Sequence, residues 1–131
     1  MQTTGNDALL APRFLGLFRI VAGLLFMEHG MAKLLGWPPD PRFDNLHAFQ
    51  LLWFAGIIEL VGGALLTVGL FTRCAAFVMW VEMTVAISYA MGQKGFFPVL
   101  NGGDAAILYC FVFFYFFLAG GGRYSIDSAR V

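Results

Sequence analysis

The stretch Leu51-Leu-Trp-Phe-Ala-Gly56-Ile-Ile-Glu59-Leu-Val-Gly-Gly63-Ala-Leu-Leu-Thr-Val-Gly69-Leu70 holds a single charge in twenty residues. A run of that length and apolarity crosses about 30 Å of hydrocarbon as a helix. Glu59 falls near its middle, where a charge costs roughly 3 kcal/mol on insertion scales. Gly56, Glu59 and Gly63 share one side at helical spacing. Glycines on that side let a second helix approach closely. Glu59 should therefore point at a neighbouring helix rather than at lipid.

The runs 14–35, 74–91 and 102–119 read in the same way, so the sequence predicts an all-α, transmembrane four-helix bundle forming one domain over 1–131. Trp37-Pro38-Pro39-Asp40-Pro41 ends the first helix, because proline lacks a donor and clashes with the preceding turn. Asp44 is placed to cap the second helix, and Asn101 the fourth, with Asp104 in its first turn. The segment Phe96-Phe97-Pro98-Val99-Leu100 is apolar but too short to span. It should lie on the membrane surface or fold over the bundle as a lid.

Composition agrees. The chain is 60% hydrophobic and 12% charged, against about 25% charged in a soluble domain. Its net charge is zero and it has no basic cluster, which argues against nucleic acid as a partner. No cleavable leader is expected, and the first span should serve as the anchor. Cys74 and Cys110 form no CxxC, haem-attachment or zinc pattern, so no metal site is expected. His29 alone does not specify a haem or metal ligand. An even number of spans places both termini on one side, with Arg13, Arg73, Arg123 and Arg130, so the termini should be cytoplasmic. Trp37, Trp53, Phe96, Phe97 and Tyr124 fall near the expected interfaces.

Other charges lie within the spans. Glu82 shares a face of span three with Ala75, Ala86 and Tyr89. In span one, Gly16, Gly23 and Gly30 recur every seven residues, with Arg19 and Lys33 near that stripe and His29 at its edge. Glu28 points almost the opposite way, toward a second buried face or another subunit. Ionisable groups at this depth mark functional sites by default. His29, Glu59 and Glu82 are the candidate catalytic groups, suited to taking and giving protons. Arg19, Lys33, Asn101 and Asp104 are the candidate cofactor-binding groups. The competing expectation is a buried charge network that only holds the helices together. The Phe-rich fourth span reads first as lipid-facing bulk, and alternatively as a surface on which a quinone ring stacks.

The chain resembles the DoxX family of small four-helix membrane proteins. The resemblance rests on Arg19-Ile-Val-Ala-Gly-Leu-Leu-Phe-Met-Glu-His-Gly-Met-Ala-Lys-Leu-Leu-Gly36, Gly56-Ile-Ile-Glu-Leu-Val-Gly-Gly63, Gly69-Leu-Phe-Thr-Arg73, Asn101-Gly-Gly-Asp104 and Gly122-Arg-Tyr-Ser-Ile-Asp127. It implies a bacterial inner-membrane protein. Some members are linked to quinone-dependent thiosulfate oxidation, others to membrane oxidoreductase complexes in redox-stress defence. The expected partners are the lipid bilayer, a soluble or membrane oxidoreductase subunit, and a second copy of the chain. The expected cofactor is a quinone. The rival expectations are a non-catalytic scaffold or assembly protein and an oligomeric proton or solute carrier.

Overall fold

A computed structural model describes residues 5–129, so Arg130 lies outside the described residues, as do residues 1–4 of the segment read for a leader. The chain forms α1 (Gly5–Leu35), a 3-10 turn (Pro41–Phe43), α2 (Leu51–Val68), α3 (Thr72–Lys94), the one-turn α4 (Pro98–Asn101), α5 (Asp104–Ala119) and α6 (Ile126–Ala129). Three helices are long and apolar enough to cross a membrane. The fourth, α5, has 16 residues and spans about 24 Å. The all-helical architecture matches the expectation. The main shift in boundaries is that α1 begins at Gly5 and runs through Pro12, well before residue 14.

The bundle is two close pairs, α1 with α2 and α3 with α5, joined by a lighter α2–α3 contact. Glycine makes the first pair. A Cβ at Gly30 would sit 2.5 Å from the Leu60 nitrogen, and one at Gly63 would sit 2.7 Å from the Met27 nitrogen. Close backbone approach is the main source of helix attraction in lipid, where no hydrophobic force acts between helices. Gly30→Ala is therefore expected to cost about 1–3 kcal/mol, as overpacking does; thermal unfolding in detergent measures it, and an unchanged midpoint would refute the tight α1–α2 seam.

Aromatic rings close the bundle between α1 and α5. Phe26 meets Phe113 at 4.7 Å between centroids and Tyr109 at 5.2 Å, and Phe18 meets Phe116 at 5.4 Å. Phe113 and Phe116 are fully buried, while Phe111 and Tyr115 are exposed. The Phe-rich span, expected as lipid-facing bulk, is thus split between core and lipid face. Rings reach where the α1 and α5 backbones stand too far apart to touch. With Leu66, Ala76 and Met79 they complete the core.

The C-terminal segment ties down the end of the bundle that carries α6. The Asp127 carboxylate accepts from the Phe71 and Thr72 amides at 2.9 Å each, at the start of α3. The Asp127 amide donates to the Gly69 carbonyl at 2.9 Å. Gly69, at φ 71°, adopts the left-handed conformation that ends α2.

The caps at the opposite end differ from expectation. Asp40, rather than Asp44, caps there, accepting from the Arg42 amide at 3.0 Å to start the 3-10 turn. Gln50 precedes α2 without a side-chain cap. Gly103, not Asn101, holds the N-cap position of α5. Phe96, Phe97, Val99 and Leu100 are all exposed. That geometry suits a segment lying on the membrane surface.

Candidate functional site

Lys33, near the end of α1, crosses to α2 over a glycine. A Cβ at Gly56 would stand 3.0 Å from the Lys33 Cβ, so the lysine stem occupies the space a larger residue would fill. One turn further along α2, Glu59 takes both oxygens to the ammonium, with Lys33 Nζ donating at 2.6 Å to Oε1 and 2.7 Å to Oε2. The two side chains are 9% and 4% exposed, so the pair is shielded from solvent. The Phe43 ring lies 5.6 Å from Nζ and adds a cation–π contact from the loop side.

Glu82 approaches from α3 and feels the charges of both Glu59 and Lys33. Its two carboxyl oxygens are buried, and neither has a hydrogen-bond partner at direct bonding distance. Buried polar atoms are almost always satisfied. The cluster therefore holds two carboxyls against one ammonium, and that ammonium is already engaged by Glu59.

These groups stand at the base of a groove of about 690 Å³ between α2 and α3. Its walls are Phe54, Ala55 and Ile58 on α2 and Val78, Val81 and Val85 on α3, with Tyr89 at one edge. On the other side of the acids the helices close up, because Gly62 lets Met79 approach: a Cβ at Gly62 would sit 2.8 Å from its sulfur. Val78, Val81, Val85 and Phe54 are exposed on the bundle's flank, so the groove opens sideways, toward lipid. Its volume lies within the usual range for small-molecule sites, and its apolar walls with a few convergent polar groups are typical of them.

The other candidates lie elsewhere. His29 is exposed on the α1–α5 side, away from Glu59. Its Nδ1 bonds the Leu25 carbonyl at 2.8 Å, and its ring meets Tyr109 edge-on at 6.2 Å. Since a carbonyl only accepts, Nδ1 carries the proton. Glu28 and His29 line a separate cavity of about 220 Å³ with Asp40 and Arg42. There Arg42 hydrogen-bonds the Asp40 carboxylate and holds it below the usual carboxylate range.

Arg19 is fully buried at the far end, fourteen positions before Lys33, or about 21 Å along the axis. Its guanidinium donates to the carbonyls of Leu66 (2.9 Å), Arg123 (3.0 Å), Tyr124 (2.6 Å) and Gly121. It anchors the C-terminal segment and does not meet Glu59. Asn101 is likewise used by its own loop, donating to the Gly95 carbonyl at 2.8 Å and accepting from the Gly103 amide at 2.7 Å. Asp104 is exposed at the start of α5.

The structure thus gathers Lys33, Glu59 and Glu82 and leaves His29, Arg19, Asn101 and Asp104 apart. Sequence reasoning missed Asp127, whose spacing after the triple glycine was the available signal. Among the described residues, no group of three or more His, Cys, Asp or Glu side chains is placed to hold a metal ion.

The comparisons fit a membrane bundle. The chain is 43% identical over 121 residues to an uncharacterized protein of Haemophilus influenzae, covering 89% of this chain and 90% of that one. It is 27% identical over 152 aligned positions to an uncharacterized membrane protein of Mycobacterium tuberculosis, covering 97% and 92%. No solved structure matches it significantly. The DoxX family model matches residues 14–92, which span the Lys33–Glu59–Glu82 cluster, and the chain belongs to the DoxX family.

Proposed function

We propose that this protein is the membrane subunit of a quinone-linked oxidoreductase, taking the ring of a quinone or its reduced form from the lipid through the α2–α3 groove. The observation that carries this is Glu82: two buried carboxyl oxygens, close to Glu59 but with no hydrogen-bond partner at direct bonding distance, facing an apolar groove open to the bilayer. A hydroxyl-bearing ring supplies the missing donor, and the valine and phenylalanine walls suit its apolar body.

When bound, a quinone supplies a two-electron, two-proton couple. Glu82 would exchange one of the two protons with the near ring oxygen, the other passing between the far ring oxygen and water, and the Lys33–Glu59 pair would fix the polar end of the groove. A redox partner protein would exchange the electrons, since the chain has no Rossmann fingerprint or iron–sulfur cysteine set. His29 has no part in this site. The protein would sit in the bacterial inner membrane with both termini cytoplasmic, because Arg13, Arg73 and Arg123 lie at the end that carries the C-terminal segment.

The test titrates a short-chain quinone and its quinol into the full chain in lipid nanodiscs, read by calorimetry. Saturable binding is expected, weakened at least tenfold by Val81→Trp, which fills the groove without touching the core. Absence of saturable binding, or equal binding by Val81→Trp, would refute the proposal.

A scaffold role has one observation in its favour: the Lys33–Glu59 pair is complete in itself. It predicts that Glu59→Gln lowers thermal stability while leaving any quinone-dependent reaction unchanged.

A further inference from the structure

At the end of the bundle that carries the C-terminal segment, the start of α3 and the turn after α5 border a second cavity, of about 410 Å³. Thr72 on its wall comes well before Glu82 on α3, about 15 Å along the axis. The cavity is therefore separate from the α2–α3 groove.

Thr72 is 1% exposed and lines this cavity, yet its hydroxyl oxygen has no hydrogen-bond partner among the described residues. Buried polar atoms are almost always satisfied, so the exception asks for a partner from outside the chain. Arg73 beside it is exposed and makes no hydrogen bond or ion pair with any described residue. Its guanidinium is nonetheless placed. A Cβ at Gly120 would lie 3.4 Å from Nε and 3.5 Å from Nη2, so the missing side chain lets the planar fork rest against the turn. A Cβ at Gly121 would sit 2.9 Å from Thr72 Oγ1 and 3.2 Å from Arg19 Nη1. The glycines thus keep the space beside these donors free of side chains. The amides of Arg73 and Cys74, in the first turn of α3, have no intrahelical partner by position, and they donate to no other described residue.

One acid borders the cavity, and it is already engaged. The Asp127 carboxylate accepts from the Phe71 and Thr72 amides and acts electrostatically on Arg19. Two guanidiniums, of Arg19 and Arg73, therefore stand near one carboxylate. We infer that this cavity binds a phosphate group, held by the Arg73 fork, the Thr72 hydroxyl and the first-turn amides of α3. An arginine fork meets phosphate through two parallel hydrogen bonds, and a helix N-terminus favours an anion. The site lies where α3 enters its span, the level of lipid headgroups, and basic pockets there hold the phosphates of anionic lipids. A free phosphate presents the same chemistry.

The test is calorimetric titration of the full chain in a sugar-headed, non-ionic detergent, with dioctanoyl phosphatidylglycerol and inorganic phosphate as separate probes. Saturable binding is expected, by the lipid alone if the phosphate is a headgroup's, and by inorganic phosphate as well if the cavity takes the free ion. Arg73→Gln should weaken it at least tenfold without moving the unfolding midpoint, because that side chain bonds no other described residue. Thr72→Val, which keeps the shape and removes the hydroxyl, should weaken it at least threefold. Arg13→Gln, which removes a cation outside the cavity, should bind as the parent does. Saturation by neither probe, parent-like binding in Arg73→Gln or Thr72→Val, or an equal loss in Arg13→Gln, the mark of general charge attraction, would each overturn the inference.

Discussion

Lys33→Met is expected to destabilise the bundle by about 3–5 kcal/mol, the range found when one member of a buried ion pair is removed. The reason is what remains. Glu59 is 4% exposed and bonds Lys33 through both oxygens, so without the ammonium its charge stays buried beside Glu82 with nothing to balance it. The double variant Lys33→Met/Glu59→Leu removes both charges and should recover most of the loss, because an apolar pair of similar volume often matches a buried ion pair. Chemical or thermal unfolding of the four members of the cycle in detergent gives the coupling directly. A cost under about 1 kcal/mol for Lys33→Met, the level of an exposed pair, would show that water reaches the pair and that the groove base is wet.

Arg19→Ala should be nearly as damaging, at about 3 kcal/mol or more, since hydrogen bonds to charged groups contribute about 1.5–3 kcal/mol each and do not add fully. Four carbonyls lose their donor at once, three of them in the segment 121–124. The loss should be local as well as global. Limited proteolysis should cut between Gly120 and Ser125 in the variant and not in the parent. Arg19→Lys should rescue only part, because an ammonium lacks the planar fork that serves several acceptors together. Full protection of this segment in Arg19→Ala would mean that Asp127 alone holds it.

The spans were legible in the sequence because hydropathy and chain punctuation are local properties. The convergence of Glu59 and Glu82 was legible too, since each acid sits in a small-residue stripe whose helical phase points it at a neighbour. Lys33 followed from the glycine repeat of α1. His29 was harder. It lies at the edge of that repeat, and only the rings of Phe26 and Tyr109 show that it turns toward α5. Arg19 was misplaced for a different reason. Its partners are backbone carbonyls 47 to 105 residues away, and a carbonyl leaves no mark in a sequence. Asn101 was read as a helix cap, whereas its amide bridges backbone groups of its own loop.

Asp127 and three of the four carbonyls that receive Arg19 come late in the chain, while the groups they satisfy come earlier. A nascent polypeptide emerging from the ribosome therefore has its first three long helices in the bilayer before either clasp is available. The start of α3 and the guanidinium of Arg19 must wait for residues 121–127 to be translated.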